Sequence, residues 1–137
     1  MDKISPKRRS ENMRQIRSKD TKPEMVVRRL IFSMGFRYRL HRKNLPGKPD
    51  LVFAGKKKVI FVHGCFWHQH HLKTCLDSRM PKSNQEYWKP KLMRNVERDK
   101  ANRKALKKIG WSVLVVWECE IKKCDKLRAR LYSFLAN

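Results

Sequence analysis

Three short apolar runs constrain this chain more than any other feature: LVF at 51–53, KVIFVH at 58–63 and WSVLVVW at 111–117. β-Branched and aromatic residues dominate them, and Gly, Pro or Lys clusters bound them, which predicts strands. Ala54-Gly55-Lys56-Lys57 joins the first two as a hairpin or meander. Phe36–Leu40 alternates apolar and basic before the loop NLPGKPD, and 111–117 reads as a buried strand. Helical signals flank these runs. Thr21 with Glu24 makes a capping box, and Val26, Val27, Leu30, Ile31 and Met34 follow at helical spacing up to Gly35, predicting a helix over 22–34. Ser83 with Glu86 offers another box, but Pro90 would then sit inside the helix and break its hydrogen bonding. The main helix is therefore expected to start near Lys89, with Pro90 in its first turn, and to end at Ile109 before Gly110. Residues 121–135 read as a terminal helix. The order is αβββαβα, a small α/β sheet domain without repeats.

A chain of 137 residues fits one domain with one modest core. Lysine and arginine number 35 against 12 acidic residues, a net charge of +23, which points to a polyanion and first to nucleic acid. With 40% hydrophobic residues in periodic blocks, wholesale disorder is not indicated. No apolar run approaches the roughly 18 residues that span a bilayer, and the charged N-terminus lacks a signal-peptide core, so a cytoplasmic protein is expected. Residues 1–20 are basic, with isolated apolar side chains at Ile4, Met13 and Ile16, and read as an arm.

In the cytoplasm the four cysteines are better read as metal ligands than as disulfides. HGCFWHQHHLKTC, residues 63–75, packs four histidines and two cysteines around Phe66 and Trp67. Cys65, His70 and Cys75, with Cys119 just past the last strand, would make a closed tetrahedral zinc site that staples the loop to the sheet. His71 could replace His70, and Cys124 could replace Cys119. Buried cysteines and solvated histidines without metal are the plainer alternative. Asp50, in GKPD, begins one strand and His63 ends the next. One carboxylate and a backbone carbonyl suffice for Mg²⁺ when phosphate supplies the remaining oxygens. His63 and His68 are then candidates for general base and leaving-group assistance.

The segments SENMRQIRSKDTKPE (10–24), LPGKPDLVF (45–53), VHGCFWHQHH (62–71), NVERD (95–99) and GWSVLVVWEC (110–119) resemble, in order, the very-short-patch-repair (Vsr) DNA mismatch endonucleases. The resemblance covers about residues 8–125. It implies a single α/β domain over 21–137, a central mixed sheet flanked by helices, in a restriction-endonuclease-like fold with a divergent PD-(D/E)xK centre and a structural zinc site. Residues 1–20 would be a DNA-binding arm.

By position, Asp50 resembles the family's metal-binding aspartate and Glu24 the acidic residue beside it. The carbonyl of Val62 corresponds to a further Mg²⁺ ligand, and His63 and His68 correspond to the family's active-site histidines. Phe66, Trp67 and Trp88 match aromatics that insert next to a T·G mismatch. Met13 and Ile16 match apolar residues of the opposite, minor-groove side, and Lys91 and Asn95 match positions that read the mismatch. One departure is the LKT between His71 and Cys75, longer than the family pattern, which keeps His71 open as a zinc ligand.

The function implied is strand-specific nicking beside T·G pairs left by 5-methylcytosine deamination, with Mg²⁺ for catalysis. The partners implied are mismatched duplex DNA and downstream repair proteins, with the chain acting as a monomer. The alternatives are a non-catalytic zinc-stabilised DNA-binding module and a restriction-type nuclease indifferent to mismatches. Acidic residues beside a phosphate path argue against the first, and the aromatic pair against the second.

Overall fold

The structure, a computed structural model, describes residues 21–65 and 85–137. Helix α1 (Lys22–Ser33) is opened by Thr21, whose side chain accepts a hydrogen bond from the Glu24 N–H at 3.4 Å. It closes at Gly35, where φ of +91° is a left-handed conformation that glycine adopts without a Cβ penalty. Its inward face carries Glu24, Val27, Arg28 and Ile31, spaced by three, one and three residues. One helical stripe thus serves two purposes: Val27 and Ile31 enter the core, and Glu24 and Arg28 enter the site described below.

Among the described residues four strands follow, in the spatial order β1 (Arg39–Leu40), β2 (Leu51–Phe53), β3 (Lys58–His63) and β4 (Ser112–Trp117). β1–β2 and β2–β3 are antiparallel, and β3–β4 is parallel. The expected hairpin is present, with Leu51 opposite Ile60 and a 3₁₀ turn over Ala54–Lys56. A parallel partner needs a crossover, and α2 (Gln85–Lys108) lies in it. A 3₁₀ turn (Glu118–Lys122) and α3 (Cys124–Ala136) complete the described chain.

Side chains alternate across the pleat and feed two apolar layers. Leu51, Phe53, Ile60 and Val116 pack against Val27 and Ile31 of α1 and Leu127, Leu131 and Leu135 of α3. Val52, Val59 and Phe61 pack the other way, against Leu45 and Leu106 of α2. Both faces are covered, which is why these short strands read as unbroken apolar runs. Each buried leucine contributes about 1.5–3 kcal/mol relative to exposure.

Two expectations are corrected. α2 begins at Gln85, so Pro90 lies in its second turn rather than its first. A proline there removes a single i→i−4 bond, to the Glu86 carbonyl, and many residues remain beyond it to hold the helix. β4 is buried only at Val116 and Trp117, and among the described residues it is an edge strand.

Candidate active site

The site grows from the ends of β1, β2 and β3. Asp50 directly precedes β2, and its two kinds of oxygen tie the neighbouring strands. Its carbonyl accepts from the His41 N–H at 3.1 Å, and its carboxylate Oδ2 accepts from the Val62 N–H at 2.7 Å. In an extended strand a residue's N–H and C=O leave on the same side. The Val62 carbonyl is therefore turned towards the Asp50 side of β3.

His41 follows β1 with φ of +48°, a left-handed conformation that costs a non-glycine residue about 1–3 kcal/mol. Its ring reaches Glu24, with Nε2 at 3.1 and 3.0 Å from the two carboxylate oxygens. The same Nε2 is 4.0 Å from Asp50 Oδ1. Glu24 is only 3% exposed and is also paired with Arg28, one helical turn on. Glu24, His41 and Asp50 each offer a ligand atom within 4.8 Å of the others.

The Asp50 carboxyl is pushed up from 3.8 to about 7, chiefly by burial; the Val62 N–H and Arg28 oppose the rise, and the Glu24 charge and hydrogen bond add to it. Two carboxyl groups this close, with 24% of the Asp50 side chain open to solvent, favour a cation that neutralises both. Oxygen donors from Asp50 and Val62 match the hard-ligand preference of Mg²⁺.

His41 is the residue that sequence reasoning missed. It stands outside the histidine-rich block, and only strand register exposes it. Leu40 pairs with Leu51, so residue 41 falls opposite residue 50.

His63 ends β3 and is 5% exposed, its ring packed 5.5 Å from Phe61 and 5.3 Å from Trp117. Cys65 is fully buried, and its N–H donates to Glu118 Oε1 at 3.3 Å. The parallel register ends with His63 opposite Trp117; Cys65 lies two residues beyond His63, and Cys119 two residues beyond Trp117, inside the 3₁₀ turn Glu118–Lys122. Cys119 is half-buried, whereas Cys124 is exposed and its thiol donates to the Ile121 carbonyl at 3.2 Å. On α2, Trp88 stands edge-on to Tyr87 at 5.0 Å, and Lys91 Nζ lies 5.5 Å from the Tyr87 ring and 5.9 Å from the Trp88 ring. Asn95 Oδ1 accepts from Arg98. Met13, Ile16, Phe66, Trp67, His68, His70, His71 and Cys75 lie outside the described residues, as does the arm over 1–20.

The family model described as DNA mismatch endonuclease Vsr matches residues 1–74. A type II nicking enzyme of Xanthomonas oryzae, V.XorIIP, is 50% identical over 134 residues, covering 98% of this chain and 96% of that one. DNA mismatch endonuclease Vsr of Escherichia coli is 42% identical over 119 residues, 87% of this chain and 74% of that one. In fold, the chain is similar to the homing endonuclease I-Bth0305I catalytic domain, with a TM-score of 0.60 at 23% identity over 85% of this chain and 96% of that domain. An acidic site at the strand ends, a nuclease fold and near-full-length likeness to nicking and mismatch endonucleases agree, and the chain belongs to the Vsr family of endonucleases.

Proposed function

We propose that this endonuclease nicks one strand of duplex DNA beside a T·G mismatch, the product of 5-methylcytosine deamination, and so begins very short patch repair. The observation that carries the reading is the Glu24–His41–Asp50 cluster beside the Val62 backbone, in a chain of net charge +23. A pure binder would gain nothing from buried acids that repel phosphate.

In this reading Asp50 and the Val62 carbonyl hold Mg²⁺, which when bound polarises the phosphate and makes its water a better nucleophile. Glu24, fixed by Arg28 and His41, adds negative charge on the metal's side of the site. His68 takes the proton of the attacking water. His63, packed against Phe61 and Trp117, assists the departing 3′ oxygen. The water oxygen bonds to phosphorus as the bond to the 3′ oxygen breaks, and the departing oxygen takes up a proton from solvent water, leaving a 5′-phosphate and a 3′-hydroxyl.

Zinc has a structural place in the same reading. Cys65 and Cys119, in matching positions beyond the paired strands, supply two thiolates, with Cys75 and either His70 or His71 completing a closed site. Phe66 and Trp67, with Trp88, would insert beside the mismatch, Met13 and Ile16 would enter from the minor groove, and Lys91 and Asn95 would read the mismatch. Unstacking costs least where pairing is already defective, so deformability selects the substrate. The protein would act as a monomer in the cytoplasm, handing nicked DNA to repair proteins.

The test is a nicking assay on two duplexes differing only in T·G or C·G at one position, with and without Mg²⁺. The expected result is a single-strand nick in T·G alone, with Mg²⁺ alone, abolished by Asp50→Ala while DNA binding persists. Equal cleavage of both duplexes would leave a mismatch-indifferent nuclease, and no cleavage of either would leave a zinc-stabilised DNA-binding module.

A further inference from the structure

We propose that His41 is a positioning residue of the nuclease centre, holding the Glu24 carboxylate against Asp50 from a backbone conformation that the fold strains to supply. The inference rests on the reading that Asp50 holds the catalytic metal. Three observations converge on it. The His41 Nε2 lies 3.1 and 3.0 Å from the two oxygens of Glu24, nearly equidistant, so it fixes the plane of that carboxylate rather than one of its atoms. A carboxylate only accepts, so Nε2 carries the hydrogen and donates. The same nitrogen is 4.0 Å from Asp50 Oδ1, which puts the ring edge beside both acids.

The backbone supplies the third observation. His41 has φ of +48° while its N–H donates to the Asp50 carbonyl at 3.1 Å. The end of the β1–β2 ladder therefore clamps a residue in a conformation it would otherwise avoid, and strain of this kind persists where the surroundings over-determine it. Arg28 grips Glu24 from its own helix, and His41 grips it from the sheet. Without the ring, Glu24 keeps its charge and loses its registration to Asp50.

The experiment compares His41→Ala, His41→Gln, Glu24→Gln and the double variant His41→Ala/Glu24→Gln, with Asp50→Ala alongside. Single-turnover nicking should fall about 30-fold or more in His41→Ala, with DNA affinity changed less than about two-fold, an effect on orientation rather than uniform binding. His41→Gln, which restores a donor, should recover to within about five-fold of the parent. Because His41 acts through Glu24, the double variant should be no slower than Glu24→Gln alone. Calorimetric titration of the DNA-free protein with Mn²⁺ should show affinity reduced about five-fold in His41→Ala and retained in His41→Gln. Losses that multiply in the double variant, an unmoved Mn²⁺ affinity, or a glutamine variant as slow as the alanine one would overturn the proposal. Asp50→Ala separates the two readings. If it cleaves normally, the metal assignment falls. If it is inactive while His41→Ala nicks at the parental rate, only the positioning role falls.

Discussion

Asp50 is held in the folded, metal-free protein with its carboxyl raised to about 7, against 3.8 for the unperturbed group, chiefly because burial penalises its charge. Between those two values the folded state binds more protons than the unfolded one, so stability falls as pH rises. The contribution is fully present below about pH 4 and lost as pH climbs through about 7. Asp50→Asn removes the charge and keeps an acceptor for the Val62 N–H. In Mg²⁺-free buffer the variant should melt a few degrees above the parent at pH 8, with the gap closing towards pH 4. One kcal/mol corresponds to roughly 2–4 °C at this size, and partial exposure of Asp50 keeps the gain well below its upper bound of about 4 kcal/mol. Thermal melts at both pH values decide it, and identical melting temperatures at pH 8 would remove the burial argument. Asp50 was legible because GKPD precedes a strand. His41 was not, because its role depends on a left-handed φ and a cross-strand register that no local pattern encodes.

Among the elements, α1 was the most legible. Its cap, its apolar spacing and its terminating glycine all act locally, and the observed Lys22–Ser33 departs from expectation by one residue. The start of α2 was less so, since a rule about one lost hydrogen bond was weighed against the propensity and packing of a 24-residue helix. The parallel pairing of β3 with β4 is non-local, and it carries the consequence for zinc. β3 and β4 end side by side, His63 opposite Trp117, and a cysteine follows two residues past each end, Cys119 within the 3₁₀ turn. On the proposed zinc reading, Cys65→Ser or Cys119→Ser should abolish zinc binding and lower the melting temperature by about 10 °C or more, because a closed site couples metal binding to folding. Cys124→Ser should change neither, as that thiol is exposed and turned to the Ile121 carbonyl. Elemental analysis of protein purified without chelator checks the point. Zinc retained in Cys119→Ser, or lost in Cys124→Ser, would reassign the ligand.

Across the whole molecule, 35 basic residues against 12 acidic ones give an attraction to DNA that does not depend on sequence. A protein neutralising roughly 6–10 phosphates loses about 10³–10⁵-fold in affinity between about 50 and 200 mM salt. That loss should be the same for T·G and C·G duplexes, because the backbone charge is the same in both. The proposed aromatic wedge would act on a different quantity. Inserting Phe66 and Trp67 unstacks a base step, which an intact pair resists more than a wobble pair. With both replaced by alanine, the preference for T·G over C·G should fall about ten-fold or more, while the salt slope and zinc content stay as in the parent. Binding is measured without Mg²⁺, so that cleavage does not intrude, at several salt concentrations on the two duplexes. A double variant that loses affinity equally for both, with its discrimination intact, would return these aromatics to a packing role and leave mismatch choice to other residues.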